Sequence, residues 1–81
     1  MSTTQFDALD AIAIRVAKNN IDDAHNLSTG ERLYIALASN SIEMLDRDGY
    51  TIAEAFSRLG TEWSDELISR WKLRGNPKNF A

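Results

Sequence analysis

"STGERLYIALASNSIEMLDRDGY", residues 28–50, is the stretch on which the fold turns. Ser28 stands three residues before Glu31, the spacing of a capping box, in which each end of the motif satisfies an orphan amide of the first helical turn. An apolar run follows. Leu33, Tyr34, Leu37, Ala38, Ile42, Met44 and Leu45, with Ile35 at the rim, spread over more than half the circumference of a helix running from about Thr29 to Arg47. A helix apolar over so wide an arc needs neighbours on several sides, so it is expected at the centre of the molecule. Gly49 then supplies the stop.

The flanking segments have the periodicity to cover it. Upstream, Phe6, Leu9, Ile12, Ala13, Val16 and Ala17 share one arc of a helix over about Thr4 to Lys18, with Asp7 and Lys18 facing water. Its end falls at Asn19-Asn20, where left-handed backbone is tolerated. Downstream, Thr51 and Glu54 make a second capping box, and Tyr50 is placed to staple the first turn. A short helix over about Ile52 to Leu59 would bury Ile52, Ala55, Phe56 and Leu59, and Gly60 would close it. A last helix, about Glu62 to Arg74, carries Trp63, Leu67, Ile68 and Trp71 on one stripe. Nothing alternates as a strand does. The expected fold is all-α: a small four-helix array around the segment 29–47, one domain over residues 1–75, with residues 76–81 as a flexible C-terminal tail in which Phe80 is placed to dock back.

Size sets a limit on this array. At 81 residues the chain buries roughly 60% of its unfolded surface, and a core of this kind leaves a stability of about 3–5 kcal/mol. There is no cysteine for a disulfide, and one histidine without cysteine excludes the usual zinc spacings. Apolar runs are too short for a membrane span or a signal peptide. The expected setting is the cytoplasm, and self-association as a dimer is an expected way to supplement a small core.

Charge is distributed unevenly. The formal net charge is −3, yet residues 67–81 hold Arg70, Lys72, Arg74 and Lys78 and no acid. Such a basic end either balances the dipole of its own helix or meets an acidic partner.

Within residues 51–75, Thr51, Ile52, Ala53, Glu54, Ala55, Arg58, Leu59 and Gly60, then Trp71, Lys72, Arg74 and Gly75, resemble the helix-turn-helix of small bacterial and phage regulators of the excisionase and MerR type. The resemblance covers about a third of the chain and implies a DNA-reading second helix over residues 51–74, in a bacterial or phage-infected cell. The residues themselves point the other way. Phe56 stands where two closely crossing helices want a small side chain, and Glu62, Asp65 and Glu66 occupy the first turn of the expected reading helix, where they would repel phosphate. Nucleic acid is therefore the disfavoured partner.

Other constellations carry less. "MLDRDGYTIAEA" places Asp46, Asp48 and Gly49 at calcium-loop positions, but Met44 and Ala55 fall where oxygen ligands are required. "IDDAHNLSTGER" gathers Asp22, Asp23, His25 and Ser28 in a polar connector without the apolar surround that would shift a pKa. No phosphate loop, metal-ligand pair or nucleophile motif is present. Neither catalysis, cofactor nor metal is expected. The expected role is a protein–protein interaction or accessory module, its partner another protein or a second copy of the chain. The expected docking residues are Trp63, Leu67, Trp71 and Leu73, with Arg70 and Arg74 orienting an acidic partner.

Overall fold

Helices α1 (Thr3–Ala17), α2 (Thr29–Ala38), α3 (Ile42–Asp48) and α4 (Ile52–Trp71) make up the fold, with no strand among the described residues. The computed structural model describes residues 3–19 and 26–77. Helix α2 is the centre: Leu33, Tyr34, Ile35 and Ala36 are all buried, and α1, α3 and α4 each pack against it. From α1 the core receives Phe6, Leu9, Ala13 and Val16. Helix α3 contributes Met44 and Leu45, and α4 contributes Ala55, Leu67 and Trp71.

The central helix is shorter than its apolar pattern predicts. The expected single helix over 29–47 is two, broken at Ser39-Asn40-Ser41, because all three side chains compete with the helical ladder. Asn40 takes the left-handed conformation (φ 58°). The Ser41 amide donates back to the Ala36 carbonyl at 2.8 Å, a Schellman closure. The Ser41 hydroxyl then accepts from the Met44 amide at 3.2 Å and caps α3. The reversal lays α3 back along α2, where Arg32 grips Asp48 through two parallel bonds, Nε to Oδ2 at 3.0 Å and a terminal guanidinium nitrogen to Oδ1 at 2.8 Å. It also turns Ile42, expected in the core, outward to 50% exposure.

The other start and stop signals behave as the sequence predicts. Both capping boxes form, Ser28 with Glu31 and Thr51 with Glu54. Asn19 (φ 77°) follows the end of α1, and Gly49 (φ 78°) ends α3 with the Tyr50 amide on the Leu45 carbonyl at 2.9 Å. Tyr50 is half-buried against the core.

Helix α4 hides a joint. Gly60 has φ 82° and ψ 170°, the one non-helical residue in the segment, in a region of backbone space that is essentially glycine's alone. The expected pair of helices thus meets across a single residue, and the second half ends at Trp71 rather than Arg74. Ile52 and Ile68, expected inside, stand about half exposed, while Ala55 and Leu67 point inward. Beyond α4 the chain reaches Pro77, which is buried, and the rest of the expected tail, residues 78–81, lies outside the described residues. His25, Lys78 and Phe80 lie outside the described residues.

Candidate functional site

A carboxylate organises the meeting of α1, α2 and α4. Asp10 lies on the apolar arc of α1, between Phe6 and Ala13, and is only 4% exposed. Its Oδ1 accepts from the Tyr34 hydroxyl at 2.6 Å and from the Trp71 indole Nε1 at 2.9 Å. Its Oδ2 accepts from Arg70 at 3.0 Å and Arg74 at 3.1 Å. Arg70 reaches further, to Asp7 at 2.8 Å and, through Nε, to Glu66 at 3.0 Å. Two neutral donors and two cations thus satisfy one buried anion. Such a carboxylate is tolerable in a core only when paired in this way. Among the described residues no buried side-chain nitrogen or oxygen lacks a partner.

Aromatic rings pack beside this hub. Phe6, Tyr34 and Trp63 form a mutual cluster with centroids 5.1–6.1 Å apart, tilted or edge-on as ring quadrupoles prefer. Arg70 lies over the Phe6 ring at 5.4 Å and Arg74 over the Trp71 ring at 4.9 Å. Burial, with the bond to Asp10, holds the Tyr34 phenol well above its ordinary pKa. Bonds to Asp7, Glu66 and Asp10 raise the Arg70 guanidinium further.

Five of the six expected docking residues meet here: Leu67 and Trp71 are buried, Trp63 and Arg70 half-buried, and Arg74 is bonded to Asp10 from the rim. Trp63, Leu67, Arg70, Trp71 and Arg74 face α1 and α2, and of the expected surface only Leu73, at 90% exposure, stands open as an apolar side chain. Two of the cations at the basic end of the chain are taken up by its own acids, since Arg70 and Arg74 both engage Asp10, while Lys72 is exposed. Asp10 went unnoticed in the sequence, although its place on the apolar arc of α1 was the available signal.

Besides Ile68 and Leu73 on the α4 side, apolar surface reaches solvent between α2, α3 and the first half of α4. A groove of about 160 Å³ is lined there by buried Ala36 and Leu45, half-buried Leu37 and Phe56, and Ile42 and Ile52 at 50% and 51% exposure. Asn40 and Ser41 complete its lining, and no ionisable side chain enters it. A second hollow, about 330 Å³, lies where Val16 and Ala17 of α1 face the α2–α3 turn and Asn76; its walls are mostly amides and hydroxyls. Among the described residues no group of three or more His, Asp or Glu gathers as a metal site, and no helix is long and apolar enough to cross a membrane. Compared with known proteins, the chain matches no family model, no curated protein and no solved structure.

Proposed function

We propose that this chain is a non-enzymatic interaction module that receives the apolar side chains of a partner polypeptide in the groove between α2, α3 and α4. The observation that carries this reading is the pairing of two half-exposed isoleucines, Ile42 and Ile52, across a groove without ionisable groups. Its volume of about 160 Å³ falls below the roughly 300 Å³ at which small-molecule sites begin, but suits an anchor side chain from an amphipathic helix laid across the surface. The expected docking face around Trp63 and Trp71 gives way to this groove because those side chains are engaged within the fold.

DNA reading by residues 51–74 is the weaker reading. Of the cations in that segment, Arg70 and Arg74 are held to Asp10, and Glu62 and Asp65 are exposed on the half that would face phosphate. The joint at Gly60 is one residue, where a helix-turn-helix has a turn of about three or four.

The test is affinity purification from lysate of the source cells with the wild-type chain, an Ile42→Lys/Ile52→Lys variant and a Leu73→Lys variant. The partner is expected to bind wild type and the Leu73 variant alike and to be lost from the double variant, whose helical circular dichroism stays intact. Equal recovery on the double variant would overturn the groove. Binding to random duplex DNA that falls by about a thousandfold between 50 and 200 mM salt would overturn the protein-partner reading.

A further inference from the structure

Gly60 is the sole departure from helical geometry between Ile52 and Trp71, and its position makes the second half of α4 an arm. The bend there is sharp. The Ser64 hydroxyl donates to the Phe56 carbonyl at 3.3 Å, though in an unbroken helix eight residues rise about 12 Å. A Cβ added at Gly60 would meet nothing within 4 Å, so only the backbone conformation, and not crowding, reserves this place for glycine.

Apart from the Ser64 bond to Phe56 across the hinge itself, the side chains that hold the arm lie on α1 and α2. Trp71, Arg70 and Arg74 meet Asp10, and Trp63 meets Phe6 and Tyr34. A second copy presents the same groups in the same arrangement. We infer that Gly60 is an exchange hinge: when it turns helical, residues 52–71 become one straight helix of about 30 Å, and the arm beyond it docks on α1 and α2 of a second copy, which returns its own. Each exchanged half restores the Asp10 hub and the aromatic cluster, so the closed monomer and the exchanged dimer share their contacts and differ mainly at the hinge. The partner is a second copy of this chain, and the groove flanked by Ile42 and Ile52 takes no part.

The hinge can be biased in both directions without touching any contact. Gly60→Ala disfavours the closed form, because an L residue is excluded from φ 82°, ψ 170°, and favours the straight helix. It is expected to lower the monomer–dimer midpoint by on the order of a hundredfold. Replacing Gly60 with D-alanine by chemical synthesis, which suits the positive φ, is expected to hold the chain monomeric. Light scattering reads the mass, and amide exchange by NMR across residues 60–64 reads the hinge, since those amides gain helical protection only in the exchanged form.

A Gly60→Ala dimer with newly protected hinge amides, beside a monomeric D-alanine chain, supports the exchange. A Gly60→Ala chain that stays monomeric overturns it, as does a dimer whose hinge amides exchange as in the monomer, which would be face-to-face association. A Gly60→Ala chain that does not fold while the D-alanine chain does would also overturn it, because the straight form would then be inaccessible.

Discussion

The indole of Trp71 donates to Oδ1 of Asp10 at 2.9 Å, joining the last turn of α4 to the middle of α1 across 61 residues of chain. That bond, with the three others on the same carboxylate, makes the long-range closure of this fold polar at its centre and apolar around it. The arrangement makes specific demands on each partner.

Asp10→Asn keeps the shape but replaces an anionic acceptor with an amide that must face two guanidinium groups. Breaking one side of a buried ion pair costs about 3–5 kcal/mol, comparable with the whole stability expected of a domain this size. Urea unfolding followed by circular dichroism is expected to show Asp10→Asn largely unfolded at room temperature. Arg74→Met, by contrast, removes a side chain that is 38% exposed and should cost about 1 kcal/mol or less.

Tyr34 gives the chain an alkaline limit. Its phenol is held above the ordinary value, chiefly by burial and then by the bond to Asp10. The folded state therefore keeps a proton that the unfolded chain releases near pH 10. Stability from this group is complete below about pH 10 and declines as pH rises toward the folded value. Urea midpoints measured from pH 8 to 11 should fall above pH 10, and Tyr34→Phe should flatten that fall while lowering stability at pH 8 by about 1 kcal/mol.

Glu31 acts in the acid range with the opposite sign. The Ser28 amide, its largest influence, holds the carboxyl below its usual value. Its contribution is present above the unfolded pKa and disappears as pH falls through the folded one. Glu31→Gln is expected to remove part of the acid sensitivity of the unfolding midpoint between about pH 5 and 3, lowering the midpoint at neutral and higher pH, where the wild-type carboxylate contributes in full, and meeting the wild type in strong acid, where it contributes nothing.

The two N-caps should act independently. Ser28→Ala and Thr51→Ala each remove a hydroxyl that accepts from the amide three residues on, at 3.3 and 3.1 Å, and each is expected to cost about 1 kcal/mol. They share no partner, so the double variant should lose their sum to within about 0.5 kcal/mol in a denaturation cycle.

Arg32 and Asp48 show what could be read in the sequence and what could not. Caps and stops were legible because each is a local device: Ser28 with Glu31, Thr51 with Glu54, Gly49 and Asn19 all act within one turn of where they stand. The core of α1 and the central place of α2 were legible from apolar periodicity. The reversal at Asn40 was missed because the apolar run continues through it, and periodicity outweighed three consecutive helix-competing side chains. In an unbroken helix Arg32 and Asp48 would stand about 24 Å apart; only the fold makes them partners. The same holds for the site. Tryptophan and arginine side by side are equally suited to an interface and an interior, and what decided for the interior was Asp10, sixty residues away. The groove at Ile42 and Ile52 exists because the break rotates Ile42 outward, so no reading of a continuous helix could place it.

Both tryptophans of the chain, Trp63 and Trp71, lie beyond Gly60, on the half of α4 that folds back over α1 and α2. Their intrinsic fluorescence therefore reports on that half alone. One indole sits edge-on to aromatic rings and the other donates to a carboxylate beneath a guanidinium, so the arm carries its own native optical probe, and an emission maximum shifting to the red follows its departure without a label.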